Sequence, residues 1–150
     1  MINEQLSLES VVKEIYSEYA QTDEATASIN PSPDAWSVKE IFGHLIDSAA
    51  NNYQRFVRLQ EVANLDFPGY DYNWIKIVRY NDYPFERIIS LWKEYNLLLA
   101  HIVGGIDKAS LTHFWKIDGK ELSLEFIVKD YIAHMKIHLE QLKSRLAKVL

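Results

Sequence analysis

Apolar side chains recur every three to four residues along four long stretches of the chain, the spacing of one face of an α-helix. We expect these helices at about residues 7–27, 37–62, 84–105 and 123–149. On the first, the apolar face consists of Leu8, Val11, Val12, Ile15, Tyr16 and Tyr19. Four helices of roughly 20 residues or more predict an all-α fold, an up-and-down four-helix bundle. The long connection between the second and third helices also allows a crossover topology.

Capping and turn residues indicate where these predicted helices begin and end. The first helix is expected to stop before Asn30-Pro31-Ser32-Pro33, since two prolines remove backbone donors and favour an extended turn. Ser37 and Glu40 fit a capping box that opens the second helix. Pro84 suits the first turn of the third helix, and Gly104-Gly105 suit its C-terminal cap.

Two shorter elements interrupt the helical pattern. Residues 113–117 alternate in character, Asp118-Gly119 favours a tight turn, and residues 120–122 can pair back, which predicts a small β-hairpin before the last helix. Between the second and third helices, a loop through Phe67-Pro68-Gly69-Tyr70 is expected to precede a short helix at about residues 72–78.

Length and composition describe an ordinary globular chain. At 150 residues, 48% of them hydrophobic and 25% charged, the chain can bury a core without disulfides, and we expect one domain over residues 1–150. The formal net charge of −5 argues against nucleic acid as a partner, since phosphate recognition relies on Lys and Arg. There is no cysteine, so any thiol chemistry needs an external thiol.

The N-terminal segment does not resemble a signal peptide. Residues 1–8 carry Glu4 and lack both a basic start and an apolar stretch. No apolar run approaches the roughly 20 residues that span a bilayer. A cytoplasmic location without membrane association is therefore expected.

Three of the five histidines lie in the two best-defined helices. His134 and His138 are one helical turn apart, so both project from one face with Cβ atoms about 6 Å apart, a geometry that one metal ion can bridge. They fall at the border of the apolar face, which favours a position in a cleft between helices. His44 lies on the second helix. An isolated pair of this kind is weak evidence, because such pairs also occur by chance.

A polar stripe runs along the second helix: Glu40, His44, Asp47, Ser48, Asn51, Arg55 and Arg58. Periodicity alone favours a solvated face; the alternative is that its first half lines an internal polar pocket. In that pocket Asp47 would orient an imidazole or accept a proton, whereas on a surface it would pair with Arg55 or a lysine. Asn51 and Arg55 would hold an anionic substrate group, or else remain solvated. Asp130, one turn before His134, is equally ambiguous.

An aromatic cluster lies on the long loop. Tyr70, Tyr72 and Trp74 would either anchor this loop or cover a pocket, and loop anchoring is the more common use of such residues.

Several segments resemble one known family. Residues 36–47, Trp-Ser-Val-Lys-Glu-Ile-Phe-Gly-His-Leu-Ile-Asp, resemble the second-helix signature of DinB/YfiT-like proteins, in which a Gly-His-Leu setting carries a metal-binding histidine. Residues 131–138 resemble the His-x-x-x-His segment of that family's last helix. Residues 52–56 and 67–70 extend the resemblance over most of the chain.

This resemblance implies a DinB-like four-helix bundle in which His44, His134 and His138 bind one divalent metal ion, often zinc, nickel or iron. It also suggests a homodimer. Several family members are similar to transferases or isomerases that use low-molecular-weight thiols, while reaction type transfers poorly between proteins of one fold.

Three neutral imidazoles leave a tetrahedral ion one position for water or substrate, the arrangement of catalytic zinc sites. We therefore expect a metal-dependent enzyme with a small-molecule substrate, first a transferase that uses a low-molecular-weight thiol. The alternatives are a metal-dependent hydrolase and a non-catalytic binding or dimerisation module stabilised by its metal.

Overall fold

The computed structural model describes residues 1–150 as six α-helices and three short β-strands. The helices are α1 (Ile2–Tyr19), α2 (Glu24–Ala27), α3 (Val38–Glu61), α4 (Trp74–Val78), α5 (Phe85–Gly105) and α6 (Leu124–Val149). The strands are β1 (Asn64–Asp66), β2 (Phe114–Ile117) and β3 (Lys120–Ser123). Single 3₁₀ turns at Tyr80–Asp82 and Lys108–Thr112 precede α5 and β2.

The four long helices form the predicted bundle, but they are not arranged up and down. The main helix contacts are α1 with α5 and α6, and α3 with α5 and α6. Helices that follow one another, α1 then α3 and α5 then α6, therefore lie diagonally across the bundle. The up-and-down order is wrong for the first and last connections, segments 20–37 and 106–123, which are long enough to cross the bundle end. The connection between the second and third long helices, for which a crossover was the alternative, instead joins the neighbours α3 and α5.

The first predicted helix is two helices. The chain turns after Tyr19, and α2 begins separately because the Asp23 side chain accepts a hydrogen bond from the Thr26 amide at 2.9 Å. At the other end, α1 begins at Ile2 rather than near Ser7.

The other helix boundaries agree with their capping residues. At the start of α3, the Glu40 amide donates to Ser37 Oγ at 3.1 Å and the Ser37 amide donates to Glu40 Oε2 at 2.8 Å, which completes the capping box. Helix α5 follows Pro84 directly and ends at Gly105.

The hairpin is confirmed, and it has a third strand. Strands β2 and β3 are antiparallel, with Trp115 opposite Leu122. The additional strand β1 pairs in parallel with β2, with Leu65 opposite Trp115. The sequence pattern did not predict β1, because three residues are too few to establish an alternation.

The apolar faces of all four long helices contribute to one cluster of 34 buried apolar residues. Trp92 and Phe42 are completely buried in it, with ring centroids 5.2 Å apart. None of the helices combines the length and apolar character that crossing a bilayer requires.

Candidate metal centre

Three imidazoles meet where α3 packs against α6. His44 comes from α3, and His134 and His138 come from consecutive turns of α6. Their ring centroids are 4.4 to 5.6 Å apart, and one ring nitrogen from each lies within 4.8 Å of the others. The structure thus brings together all three predicted ligands, while their binding of a metal stays a prediction.

His44 is the most enclosed of the three. It is 2% exposed, and its Nε2 atom is buried without a hydrogen-bond partner. The rings of Trp36, Tyr72 and Tyr70 surround it at centroid distances of 5.2, 5.1 and 5.9 Å. A buried polar nitrogen without a partner is costly, so this atom is well placed to bind a ligand.

On α6 the Nε2 atoms of the two imidazoles lie close together. His134 Nε2 and His138 Nε2 are 3.0 Å apart, and His138 Nδ1 lies 2.7 Å from Gln141 Oε1. Because this amide oxygen can only accept, it favours the tautomer in which Nδ1 donates a proton and Nε2 keeps its lone pair. The i, i+3 spacing of His138 and Gln141 would have allowed this contact to be predicted.

The environment keeps the three imidazoles neutral. Burial, followed by the neighbouring His138 and His134, lowers the pKa of His44 to about 3. Burial also lowers the pKa of His134 and that of His138, although the hydrogen bond to Gln141 acts in the opposite direction on His138. Neutral imidazole is the form that binds metals.

These residues fit a divalent metal ion. Two nitrogens bound to a tetrahedral zinc ion lie about 3.3 Å apart, given Zn–N bonds of about 2.0–2.1 Å. The 3.0 Å separation of the two α6 nitrogens is close to this value, and the unpartnered His44 Nε2 is available as a third nitrogen ligand. Nitrogen donors of this kind suit zinc, nickel and iron.

The polar stripe of α3 faces the interior rather than water. His44, Asp47, Ser48, Asn51 and Arg55 are all buried, and only the last member of the stripe, Arg58, is exposed. The solvated interpretation is therefore wrong for most of the stripe. Its polar side is covered by α6 and by the loop that carries Tyr70, which periodicity could not reveal.

Asp47 is fixed by a tyrosine from outside the bundle. It is 6% exposed, and its Oδ1 accepts a hydrogen bond of 2.6 Å from the Tyr80 hydroxyl, while Oδ2 is buried without a partner. Burial raises the pKa of Asp47, against the effect of that hydrogen bond. The alternative of a surface ion pair with Arg55 or a lysine is wrong, because Asp47 is in none of the ion pairs.

Gly43 makes room for this tyrosine. A Cβ atom at position 43 would lie 2.1 Å from Tyr80 Cδ2, so any larger residue would displace the ring. The glycine before His44 therefore allows Tyr80 to reach Asp47.

A cavity of about 260 Å³ opens beside the imidazoles. His134 lines it, as does the predicted Arg55. Asn51 does not line it: its side-chain amide donates to the Asp47 carbonyl at 2.9 Å, and the next residue, Asn52, lines the cavity instead. The remaining lining residues are Ser48, Gly69, Tyr70, Trp115, Leu122, Phe126, Ile127, Asp130 and Tyr131.

A second, more open cavity of about 430 Å³ includes His138 and Gln141. Trp36 and Tyr72 form part of its wall. The aromatic loop thus contributes to both cavities, with Tyr70 in the first and Tyr72 in the second. The pocket-covering alternative therefore agrees with the structure for Tyr70 and Tyr72, whereas Trp74 lines neither cavity and packs on Tyr70 with ring centroids 5.7 Å apart.

Sequence reasoning missed the part of the site that the small sheet provides. Trp115 of β2 donates from Nε1 to the Phe67 carbonyl at 2.7 Å, and Arg55 stacks on its ring at 3.7 Å. Arg55 and Trp115 are 60 positions apart in the sequence, and no local pattern connects them.

Comparison with known proteins gives a match at the level of the fold. No protein-family model matches the chain, and no curated protein matches it. Among solved structures, the fold is similar to that of YfiT from Bacillus subtilis, described as "a probable metal-dependent hydrolase with an unusual four-helix bundle topology". The TM-score is 0.82 at 16% sequence identity, over 97% of this chain and 86% of YfiT.

At this identity the match concerns the fold. It confirms the four-helix bundle, with a fold similar to that of YfiT.

Proposed function

We propose that this protein binds one divalent metal ion through His44, His134 and His138 and uses it for metal-dependent hydrolysis of a small-molecule substrate. The observation that carries the proposal is the convergence of three buried or half-buried imidazoles, with ring nitrogens within 4.8 Å, beside a cavity. Zinc, nickel and iron are the candidate ions. The description of YfiT as a metal-dependent hydrolase supports hydrolysis as the reaction.

The chemistry needs an ion with an open position. When bound, such an ion lowers the pKa of a water or thiol beside it and so supplies a nucleophile at neutral pH.

The surrounding side chains hold this arrangement in place. Gln141 orients the His138 ring, and Trp36, Tyr70 and Tyr72 shield His44 from bulk water. Asp47, one turn after His44, is the candidate proton acceptor, since its Oδ2 has no hydrogen-bond partner while Tyr80 fixes Oδ1.

A thiol transferase is the second candidate. His134 and His138 line two different cavities, which would give a thiol and a second substrate separate approaches to the centre. The chain has no cysteine, and its nucleophile would be a low-molecular-weight thiol from solution.

Metal content tests the site directly. We expect mass spectrometry to find about one ion per chain in the wild type and in His101→Ala, an exposed histidine of α5 that serves as the control. His134→Ala should lose the ion while circular dichroism still reports a helical bundle. Unchanged metal stoichiometry in His134→Ala would reject the assignment.

Activity separates the candidate reactions. Metal-loaded protein that cleaves a panel of esters and amides without added thiol supports the hydrolase. Consumption of an aryl halide only when a thiol is present supports the transferase. If neither occurs, and chelation lowers the melting temperature, the ion has a structural role only.

A further inference from the structure

Arg55 is a buried cation without a counter-ion. Its side chain lies inside the bundle at 6% exposure, and none of the ion pairs includes it. Nη1 donates to Asn52 Oδ1 at 3.3 Å, and Nε has no partner. Such an arrangement is unfavourable for a guanidinium, since a buried charge normally has a partner of opposite charge.

The guanidinium is nevertheless held firmly. Its Cζ atom lies over Trp115, 3.7 Å from the ring centroid, and Asn52 in turn donates to the Ser48 carbonyl at 2.9 Å. Burial lowers the pKa of Arg55 to about 10, so the side chain remains charged at neutral pH. The position of the charge is thus fixed before any ligand arrives, which reduces the entropic cost of binding.

The same guanidinium lines the cavity beside the candidate metal centre. Ser48, Asn52 and Tyr70 add polar groups to this cavity, and His134 is the one of the three imidazoles that lines it. A ligand whose charged group lies at Arg55 would therefore occupy the same cavity that His134 lines.

Asp130 limits the charge that this ligand can carry. Its exposed carboxylate lines the same cavity and would repel a second negative group. One buried cation together with one exposed carboxylate favours a ligand with a single negative charge over a dianion.

We propose that Arg55 binds the carboxylate of a small, singly charged organic acid and so determines the substrate class of this protein. The planar guanidinium fork matches a carboxylate, and the apolar residues Leu122 and Ile127 line the cavity for the remainder of the molecule. As a statement about substrate, this inference rests on the proposed function, but the anion site can be tested without it.

Benzoate and its neutral counterpart benzamide are suitable probes because they differ mainly in charge. We expect benzoate, titrated into the protein and followed by NMR, to shift the Nε–H signal of Arg55 and to bind at least about tenfold more tightly than benzamide. Inorganic phosphate at pH 8, mostly a dianion, should bind more weakly than benzoate. Tighter, Arg55-dependent binding of phosphate would overturn the carboxylate assignment.

Matched variants assign the effect to Arg55. Arg55→Met should weaken benzoate binding about tenfold or more and leave benzamide binding within about twofold, whereas Arg58→Met, an exposed arginine one turn further along α3, should change neither. Should Arg55→Met fail to fold, the wild-type Nε–H signal provides the test, and Arg55→Lys, which keeps the charge but loses the planar fork, should bind benzoate more weakly than wild type. Asp130→Asn should strengthen phosphate binding. Equal affinities for benzoate and benzamide, or an unmoved Arg55 signal, would overturn the proposal.

Chelation separates this inference from the metal proposal. Both titrations are run on metal-loaded protein and on protein treated with chelator, and Arg55-dependent benzoate binding should persist in both. Its loss on chelation, with the Arg55 signal unmoved, would assign the anion to the metal and overturn the Arg55 site. If the protein binds no metal even when metal is supplied, yet still binds benzoate through Arg55, the anion site would be supported and the proposed function rejected.

Discussion

Single contacts determine how each imidazole presents its nitrogen. His138 has a hydrogen-bond partner at Nδ1, whereas the neighbouring rings hold His44 by packing alone. The side chains that contact the three imidazoles therefore affect metal binding, because they set the orientation and tautomer of each ring.

Replacing Gln141 tests this at one residue. Gln141→Leu removes the acceptor at His138 Nδ1, and we expect metal affinity to fall about tenfold to a hundredfold with the fold intact. Competition with a chromogenic chelator measures the change. Gln54→Leu, a glutamine of α3 whose side chain contacts Arg58, is the control and should retain wild-type affinity. Equal affinity of both variants would contradict a role for Gln141.

Tyr80→Phe tests the support of Asp47. The variant leaves a buried carboxyl without its donor, and we expect a loss of about 1–3 kcal/mol in the free energy of unfolding. The loss should also depend on pH. Because burial raises the pKa of Asp47 in the folded protein, stability falls as pH rises through the range above 3.8, and removal of Tyr80 raises that pKa further.

Denaturant unfolding of the wild type and Tyr80→Phe at pH 4 and pH 8 therefore gives a clear comparison. The difference in stability should be larger at pH 8, where the unsupported carboxylate is ionised. A difference that is the same at both pH values would show that the hydroxyl contributes only packing.

At the scale of elements, short segments fix the positions of the long helices. Helix α2 has only four residues, yet its Glu24 bonds the ammonium group of Lys39, a buried residue of α3, and accepts from the Phe85 amide of α5 at 2.9 Å. One carboxylate thus joins α2 to the first turns of two long helices. The crossing from α1 to α3 is held in place by this contact.

Glu24→Gln tests this junction. The hydrogen bonds from Lys39 and then from the Phe85 amide lower the pKa of Glu24, so its contribution to stability is present above pH 4.5 and is lost as the pH falls through the lowered value. We expect the variant to be less stable than wild type at pH 7 by about 1 kcal/mol or less, since Glu24 is partly exposed. The difference should decrease as the pH falls below 4.5.

Thermal melts at both pH values measure this effect. Glu86→Gln changes an exposed glutamate in the first turn of α5 and is the matched control. A stability difference for Glu24→Gln that persists unchanged at pH 3 would mean that the charge of Glu24 is not what joins these helices.

At the scale of the whole molecule, the candidate centre links α3 to the end of the chain. His44 and His138 are 94 positions apart, and an ion between them would connect two helices that no covalent bond joins. Binding to the folded state alone stabilises it by mass action.

We therefore expect the melting temperature to rise with metal concentration. At a free metal concentration about 100 times the dissociation constant, the gain is about 2.7 kcal/mol. Differential scanning calorimetry with chelator and with increasing metal measures it, and His134→Ala should show no such rise. A melting temperature that does not respond to metal in the wild type would contradict binding to the folded state.

Local sequence patterns predicted the four long helices, the β-hairpin and the candidate ligands, but not β1 or the separate helix α2. Helix periodicity, the capping box at Ser37 and the turn at Asp118-Gly119 are local signals, because each depends on residues a few positions apart. The spacing of His134 and His138 is local in the same sense. For these features, the predicted positions agree with the structure to within a few residues, apart from the start and break of the first helix.

Which side of α3 meets water, and which residues complete the site, depend on contacts between segments that are distant in the sequence. Periodicity separates polar from apolar residues, but it cannot distinguish a wet face from one that α6 and a loop cover. The stacking of Trp115 on Arg55 and the reach of Tyr80 to Asp47 are contacts between distant segments, as is the diagonal packing of the helices. They depend on how long connections cross the bundle, and no short stretch of sequence encodes that choice.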